Sequence, residues 1–141
     1  MQLRRVSAPQ RLTVAYPAIG TAWHPHLLAT TNSEVIANTY VEMLLSTNED
    51  FKFVPALAER FQVMEPGHRW RFTLRDGIRF SNGQRVTAED VKFSLEDYMR
   101  QDSPHRLVYA SWFDRVAIVN ARTVDVFASG PSRVALPGIG F

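Results

Sequence analysis

The sequence predicts an α+β (mixed α/β) chain with a mixed sheet, hairpins and two main helices, and three observations carry that prediction. Trp70, Phe72 and Leu74 alternate with Arg69, Arg71, Thr73 and Arg75, the period of a strand with one dry face and one wet face. Asp76-Gly77 and Asn82-Gly83 follow as turn pairs that tolerate positive φ. Thr87 then reads as a helix N-cap, with Glu89 and Asp90 in the first turn, where carboxylates meet unpaired N–H groups and the positive end of the helix dipole.

Taken in order, Leu12 to Tyr16 reads as a first strand, ended by Pro17 and Gly20. The loop from Ala18 to Thr31 holds Trp23, His24, Pro25 and His26. A helix is predicted from near Ser33, with Glu34 in its first turn and Ile36, Tyr40, Met43 and Leu44 as a core-facing stripe. Phe51 and Phe53 lead toward Pro55, and Leu57 and Phe61 continue the apolar pattern. The turn Glu65-Pro66-Gly67-His68 introduces the strand of residues 70–75, and Ile78 and Phe80 fit between the two glycine turns as its return. In the helix after Thr87, Val91, Leu95, Tyr98 and Met99 share one side, and the pattern runs to about Gln101.

Ser103-Pro104 breaks that helix, and a short helical or irregular piece from Leu107 to Phe113 carries Tyr109 and Trp112. Val116, Ile118 and Val119 read as a strand, Asn120-Ala121-Arg122 as a turn, and Val124, Val126 and Ala128 as the return. After Ser129 the pattern stops, and the glycines and prolines of residues 130–141 predict an irregular tail. The expected organisation is an N-terminal segment 1–11, one unit over 12–129 and the tail.

Composition is that of an ordinary globular chain, 45% hydrophobic and 21% charged, which argues against disorder over most of its length. The net charge of +2 is small, and 14 of the 16 basic residues are arginine, so the chain has no basic block. Cysteine is absent, which excludes disulfide frameworks, thiolate metal sites and cysteine nucleophiles. No apolar run approaches the roughly 18–20 residues of a membrane span. The opening MQLRRVSAPQR has basic residues but no apolar stretch after them, so it does not read as a secretory signal.

Several residues invite a chemical reading. His24 and His26 flank Pro25 and could approach one metal with His68 or His105, but no carboxylate lies near the pair, and solvated or hydrogen-bonded imidazoles are the simpler expectation. No metal site and no cofactor is therefore predicted. Glu89-Asp90 and Glu96-Asp97 are adjacent residues on a helix rather than facing carboxylates, and no nucleophile elbow, zinc helix or phosphate loop is present, so no enzyme is predicted. Arg69, Arg71, Arg75, Arg79 and Arg85 could track phosphates. A solvated strand face explains them as well, and no aromatic residue is interleaved along that face of the strand, so no nucleic-acid partner is expected.

The words Pro-Ala-Leu-Ala-Glu at 55–59, the strand Trp70 to Arg75, Asp76-Gly77-Ile78-Arg79-Phe80-Ser81-Asn82-Gly83 and Thr87-Ala88-Glu89-Asp90-Val91-Lys92-Phe93-Ser94-Leu95 together resemble the extracellular solute-binding proteins of family 5. This is the oligopeptide, dipeptide and nickel class of ABC importers. Leu12 to Tyr16 and Pro25-His26 match that family's first strand and the turn after it, so the similarity covers about residues 12–128. The resemblance implies part of the first lobe of a type II periplasmic-binding-protein fold, here as an N-terminal fragment, because family members have two lobes and are several times longer. It implies capture of a peptide or related small solute, a membrane permease as partner of the longer protein, and a periplasmic or extracellular location.

The resemblance also places the ligand-contacting segment just after the Pro-His turn, at Leu28, Ala29, Thr30 and Thr31. An aromatic wall follows at Tyr109 and Trp112, which read equally well as core residues of the lobe. A chain with half of a two-lobed clamp is expected to bind ligand weakly and to self-associate through exposed lobe surface. Two alternatives stay open: a ligand-sensing domain of a transcription regulator, and a binder of nickel chelates.

Overall fold

The structure is a computed structural model that describes residues 39–50, 52–99 and 113–130. A small hairpin comes first, β1 (Leu45–Thr47) against β2 (Phe53–Pro55), antiparallel with Ser46 opposite Val54. Four further strands, β3 (Ala58–Glu65), β4 (Arg69–Leu74), β5 (Phe113–Asn120) and β6 (Thr123–Ala128), form one sheet in the order β3-β4-β6-β5. The helix α1 (Ala88–Tyr98) lies between β4 and β5 in sequence and packs on β5 and β6.

Every strand pairing among the described residues is antiparallel. The mixed sheet expected from the sequence therefore finds no parallel pair here. The chemistry of the connections accounts for this. β3 and β4 are joined by Pro66-Gly67-His68, with Gly67 at φ 77 and the His68 N–H donating to the Glu65 carbonyl at 2.9 Å. β5 and β6 are joined by Ala121-Arg122, where the Asn120 Oδ1 accepts from the Arg122 N–H at 3.0 Å. Only β4 and β6, the two central strands, meet through a long connection.

Register builds the core. Phe72 stands opposite Phe61 on one side and Val124 on the other, and Trp70 stands opposite Val126. Cross-strand partners point to the same face, so Trp70, Phe72, Leu74, Val116, Val124 and Val126 make one apolar layer, all buried. Val91 and Leu95, one helical turn apart, bring α1 onto this layer, each contributing about 1.5–3 kcal/mol by burial. At the start of α1 the Asp90 carboxylate accepts from both the backbone N–H and the hydroxyl of Thr87, each at 2.8 Å. The Ala88 N–H donates to the Ala121 carbonyl at 2.9 Å, tying the helix entrance to the β5–β6 turn.

The alternation of residues 69–75, the cap at Thr87 and the hairpin of residues 116–128 are thus found as expected. Four expectations change. Ile78 and Phe80 do not return along β4, whose two edges are already taken by β3 and β6. They fold instead onto residues 84–86 in a separate small hairpin, with Arg79 opposite Arg85 and the Phe80 N–H donating to the Gln84 carbonyl at 2.9 Å. The stripe Tyr40, Met43 and Leu44 is not helical where it is described. Residues 39–40 form a turn, Tyr40 is 51% exposed, and the carbonyls of Met43 and Leu44 accept from Leu57, Ala56 and Ala58, which draws this segment into strand pairing.

The helix ends at Tyr98 rather than near Gln101, with Met99 as its C-cap. β3 is a strand that the sequence did not announce. It carries register shifts at Ala58/Arg60 and Val63/Glu65, and each shift breaks the period-2 pattern. The first strand, the start of the Ser33 helix, the 107–112 piece and the tail after Gly130 lie outside the described residues, and among those described there is one helix.

Candidate functional site

The six residues expected to touch ligand, Leu28, Ala29, Thr30, Thr31, Tyr109 and Trp112, lie outside the described residues, as do His24, His26 and His105. His68 sits in the exposed β3–β4 turn, and no group of three or more metal-ligating side chains occurs among the described residues. What the structure does resolve is the sheet face opposite the core, and it explains the arginines.

β4 presents Arg69, Arg71 and Thr73 on that face, β6 presents Thr123, Asp125 and Phe127, and the register sets Arg71 opposite Asp125 and Arg69 opposite Phe127. The Arg71 Nε and Nη2 donate to the two Asp125 carboxylate oxygens at 2.6 and 2.8 Å, a bidentate pair. Asp125 is only 4% exposed, on β6 between Arg71 of β4 and Ala117 of β5. The hydrogen bonds that Arg71 donates to Asp125, opposed by desolvation and helped by charge attraction, raise the Arg71 pKa above its already high ordinary value. A raised basic group lends stability that is complete below its unfolded pKa and lost only as pH rises through the folded one. For an arginine that window lies far into alkali, so this pair contributes no pH dependence near neutrality through Arg71.

Several other guanidinium groups among the described residues are also engaged, although the buried Arg69 Nε has no hydrogen-bond partner. Arg69 pairs with Glu65 at 3.2 Å, Arg75 with Glu42 at 2.6 Å, and Arg122 lies near both Glu59 and Asp76, while Arg79 donates to the Gly83 carbonyl at 2.7 Å. Arg115 and Arg69 lie over the Phe127 ring, 4.0 and 5.8 Å from its centroid. The sequence showed no aromatic residue along the arginine strand, and the sheet brings one in from β6. On this face carboxylates thus pair with Arg69, Arg71, Arg75 and Arg115, and the Phe127 ring lies under two of these cations.

One prediction follows from the burial of Asp125. In urea denaturation, Asp125→Asn is expected to lose clearly more stability than Asp114→Asn, whose carboxylate pairs with Arg115 at the exposed surface, and to do so at low and high salt alike. Equal losses would contradict the role given to the Arg71–Asp125 pair.

Comparison with known proteins places this architecture. Among solved structures it superposes on the NikA protein of Brucella suis, crystallised with Fe(III)-EDTA, with a TM-score of 0.72 at 24% identity, covering 83% of this chain and 24% of that one. The fold is that of part of a solute-binding-protein lobe. A family profile, bacterial extracellular solute-binding proteins, family 5 Middle, matches residues 52–139, and the chain belongs to that family.

Similar curated proteins include the nickel-binding periplasmic protein of Escherichia coli, 37% identical over 84 residues, which is 59% of this chain and 16% of the relative. The oligopeptide-binding protein OppA of Bacillus subtilis is 25% identical over 125 residues, covering 77% of this chain and 23% of the relative. The HTH-type transcriptional regulator SgrR of Pectobacterium atrosepticum is 31% identical over 102 residues, covering 70% and 17%. The chain thus spans about a sixth to a quarter of the length of the proteins it matches.

Proposed function

We propose that this chain serves as part of the solute-binding component of an ABC importer, capturing peptides or related small solutes for uptake across a membrane. The observation that carries the reading is the family match over residues 52–139, on the same strands and helix that form the described sheet and its cover. The role is binding rather than catalysis. A solute would be taken between lobes by hinge closure, with the closed state favoured by differential contacts. The contacts proposed on this chain are Leu28, Ala29, Thr30 and Thr31, with Tyr109 and Trp112 as an aromatic wall that offers broad apolar surface to varied side chains. The periplasm or extracellular space is the proposed location, a membrane permease the proposed partner of the longer protein, and self-association through exposed lobe surface a further expectation.

The nickel-binding relative supports a second solute class, a metal chelate, and the SgrR relative supports a second use of the same module, sensing a ligand for transcription control. Calorimetric titration of residues 1–141, and of the longest reading frame that contains them, with peptide pools and with nickel-histidine separates the solute readings. Tight binding of peptides by the longer product, and weak or no binding by residues 1–141 alone, is the expected result. Micromolar binding by residues 1–141 alone would overturn the two-lobed mechanism. A DNA-binding segment encoded in the same frame would favour the regulator.

A further inference from the structure

We propose that Asn82 is a latent site of spontaneous deamidation, kept closed in the folded protein by the hydrogen bonds of its own hairpin. Asn82-Gly83 stands at the exposed tip of the small hairpin of residues 78–86, with Gly83 at φ 88 and nothing within 4 Å of where a Cβ would stand. A glycine after asparagine leaves the backbone nitrogen unobstructed. That nitrogen, once it has lost its proton to a solvent base, can attack Asn82 Cγ. A new C–N bond forms, the Cγ–Nδ2 bond breaks, and the amide nitrogen takes a solvent proton and leaves as ammonia. Water then opens the succinimide ring to aspartate or isoaspartate.

The fold restrains both ends of that step. The nucleophile is committed, because the Gly83 N–H donates to the Phe80 carbonyl at 2.9 Å and must give up this bond before it can be deprotonated. The electrophile is anchored, because the Asn82 Oδ1 accepts from the Gln84 N–H and the Asn82 Nδ2 donates to the Gln84 Oε1, each at 2.9 Å. Arg79 Nη1 fixes the next carbonyl, that of Gly83, at 2.7 Å. Gln84 is therefore the positioning residue, the one side chain that holds the leaving amide.

Opening the site has a structural consequence. Isoaspartate inserts an extra carbon into the main chain between Phe80 and Gln84, which the Phe80 N–H to Gln84 carbonyl bond does not accommodate. Either product adds a carboxylate beside the Arg79 and Arg85 backbone pair. Deamidation would thus unlatch the hairpin that leads into α1.

The test is a time course of the chain at mildly alkaline pH, in native buffer and in guanidinium chloride, with peptide mapping that resolves Asn, Asp and isoaspartate at position 82. Wild-type protein is expected to deamidate at least about tenfold more slowly when folded, from the several hydrogen bonds lost on unfolding. Gln84→Ala with a native circular dichroism spectrum is expected to react on the order of fivefold faster than wild type in native buffer, the loss of one hydrogen bond. Equal wild-type rates in the two solvents would overturn the proposal, as would a folded Gln84→Ala that reacts at the wild-type rate. If Gln84→Ala does not fold, the wild-type comparison alone decides.

Discussion

Phe72→Ala is expected to lower the free energy of unfolding by about 3–5 kcal/mol, enough to leave a marginal domain largely unfolded. Phe72 is 0% exposed and occupies the middle of the central strand β4, opposite Phe61 and Val124 at once. Truncation removes the ring that both neighbouring strands rest on, and regular backbone pairing on both sides limits how far the cavity can collapse. Urea denaturation followed by tryptophan fluorescence measures the effect, since Trp70 lies two residues away in the same apolar layer. A loss below about 1 kcal/mol, the usual size for a surface position, would mean that Phe72 is not at the centre of this core.

The second large effect is Leu95→Ala, expected to cost about 2–5 kcal/mol. Leu95 and Val91 are the buried positions through which the middle of α1 meets the sheet, whereas Phe93, between them in sequence, is 70% exposed. Phe93→Ala is the natural control, expected to change stability by no more than about 0.5 kcal/mol in either direction. Hydrogen exchange adds a local readout. In Leu95→Ala the amides of α1 should lose protection before those of β4 and β6, because the helix is held to the sheet by few contacts while each central strand is paired on both edges. Uniform loss across helix and sheet would instead make them one cooperative unit.

The elements that the sequence announced are those whose signal is local. Trp70, Phe72 and Leu74 fall on one face because a strand has period 2, and Thr87 caps α1 because Asp90 lies three residues on, within reach of its N–H and hydroxyl. The hairpin of β5 and β6 needed only Asn120 and a clean alternation at Val124 and Val126. Elements decided by distant partners were not legible. Tyr40, Met43 and Leu44 have helical spacing, but the carbonyls of Met43 and Leu44 are claimed by Leu57, Ala56 and Ala58, and strand pairing overrides the local pattern. β3 was hidden by its two register shifts, and Ile78 and Phe80 were sent back along a strand whose edges were already occupied.

Of the surface chemistry, the arginine strand was visible and its partners were not. Asp125 lies 54 positions from Arg71, and nothing in either neighbourhood marks the pairing. Phe127 likewise reaches Arg69 and Arg115 only through sheet register. The residues proposed to contact ligand were legible solely through family resemblance, since small and apolar side chains such as Leu28 and Ala29 carry no chemical signature of their own.

The central claim is that β3, β4, β6 and β5 form the antiparallel sheet of a solute-binding lobe, with β4 and β6 side by side at its centre. Backbone nuclear Overhauser contacts in the isotopically labelled chain test this most directly. The register predicts cross-strand contacts between Phe72 and Val124, between Trp70 and Val126, and between Val116 and Val126. A spectrum that pairs β4 with residues 78–80 in place of β6 would contradict the topology, and with it the structural ground on which the family fold and the proposed function stand.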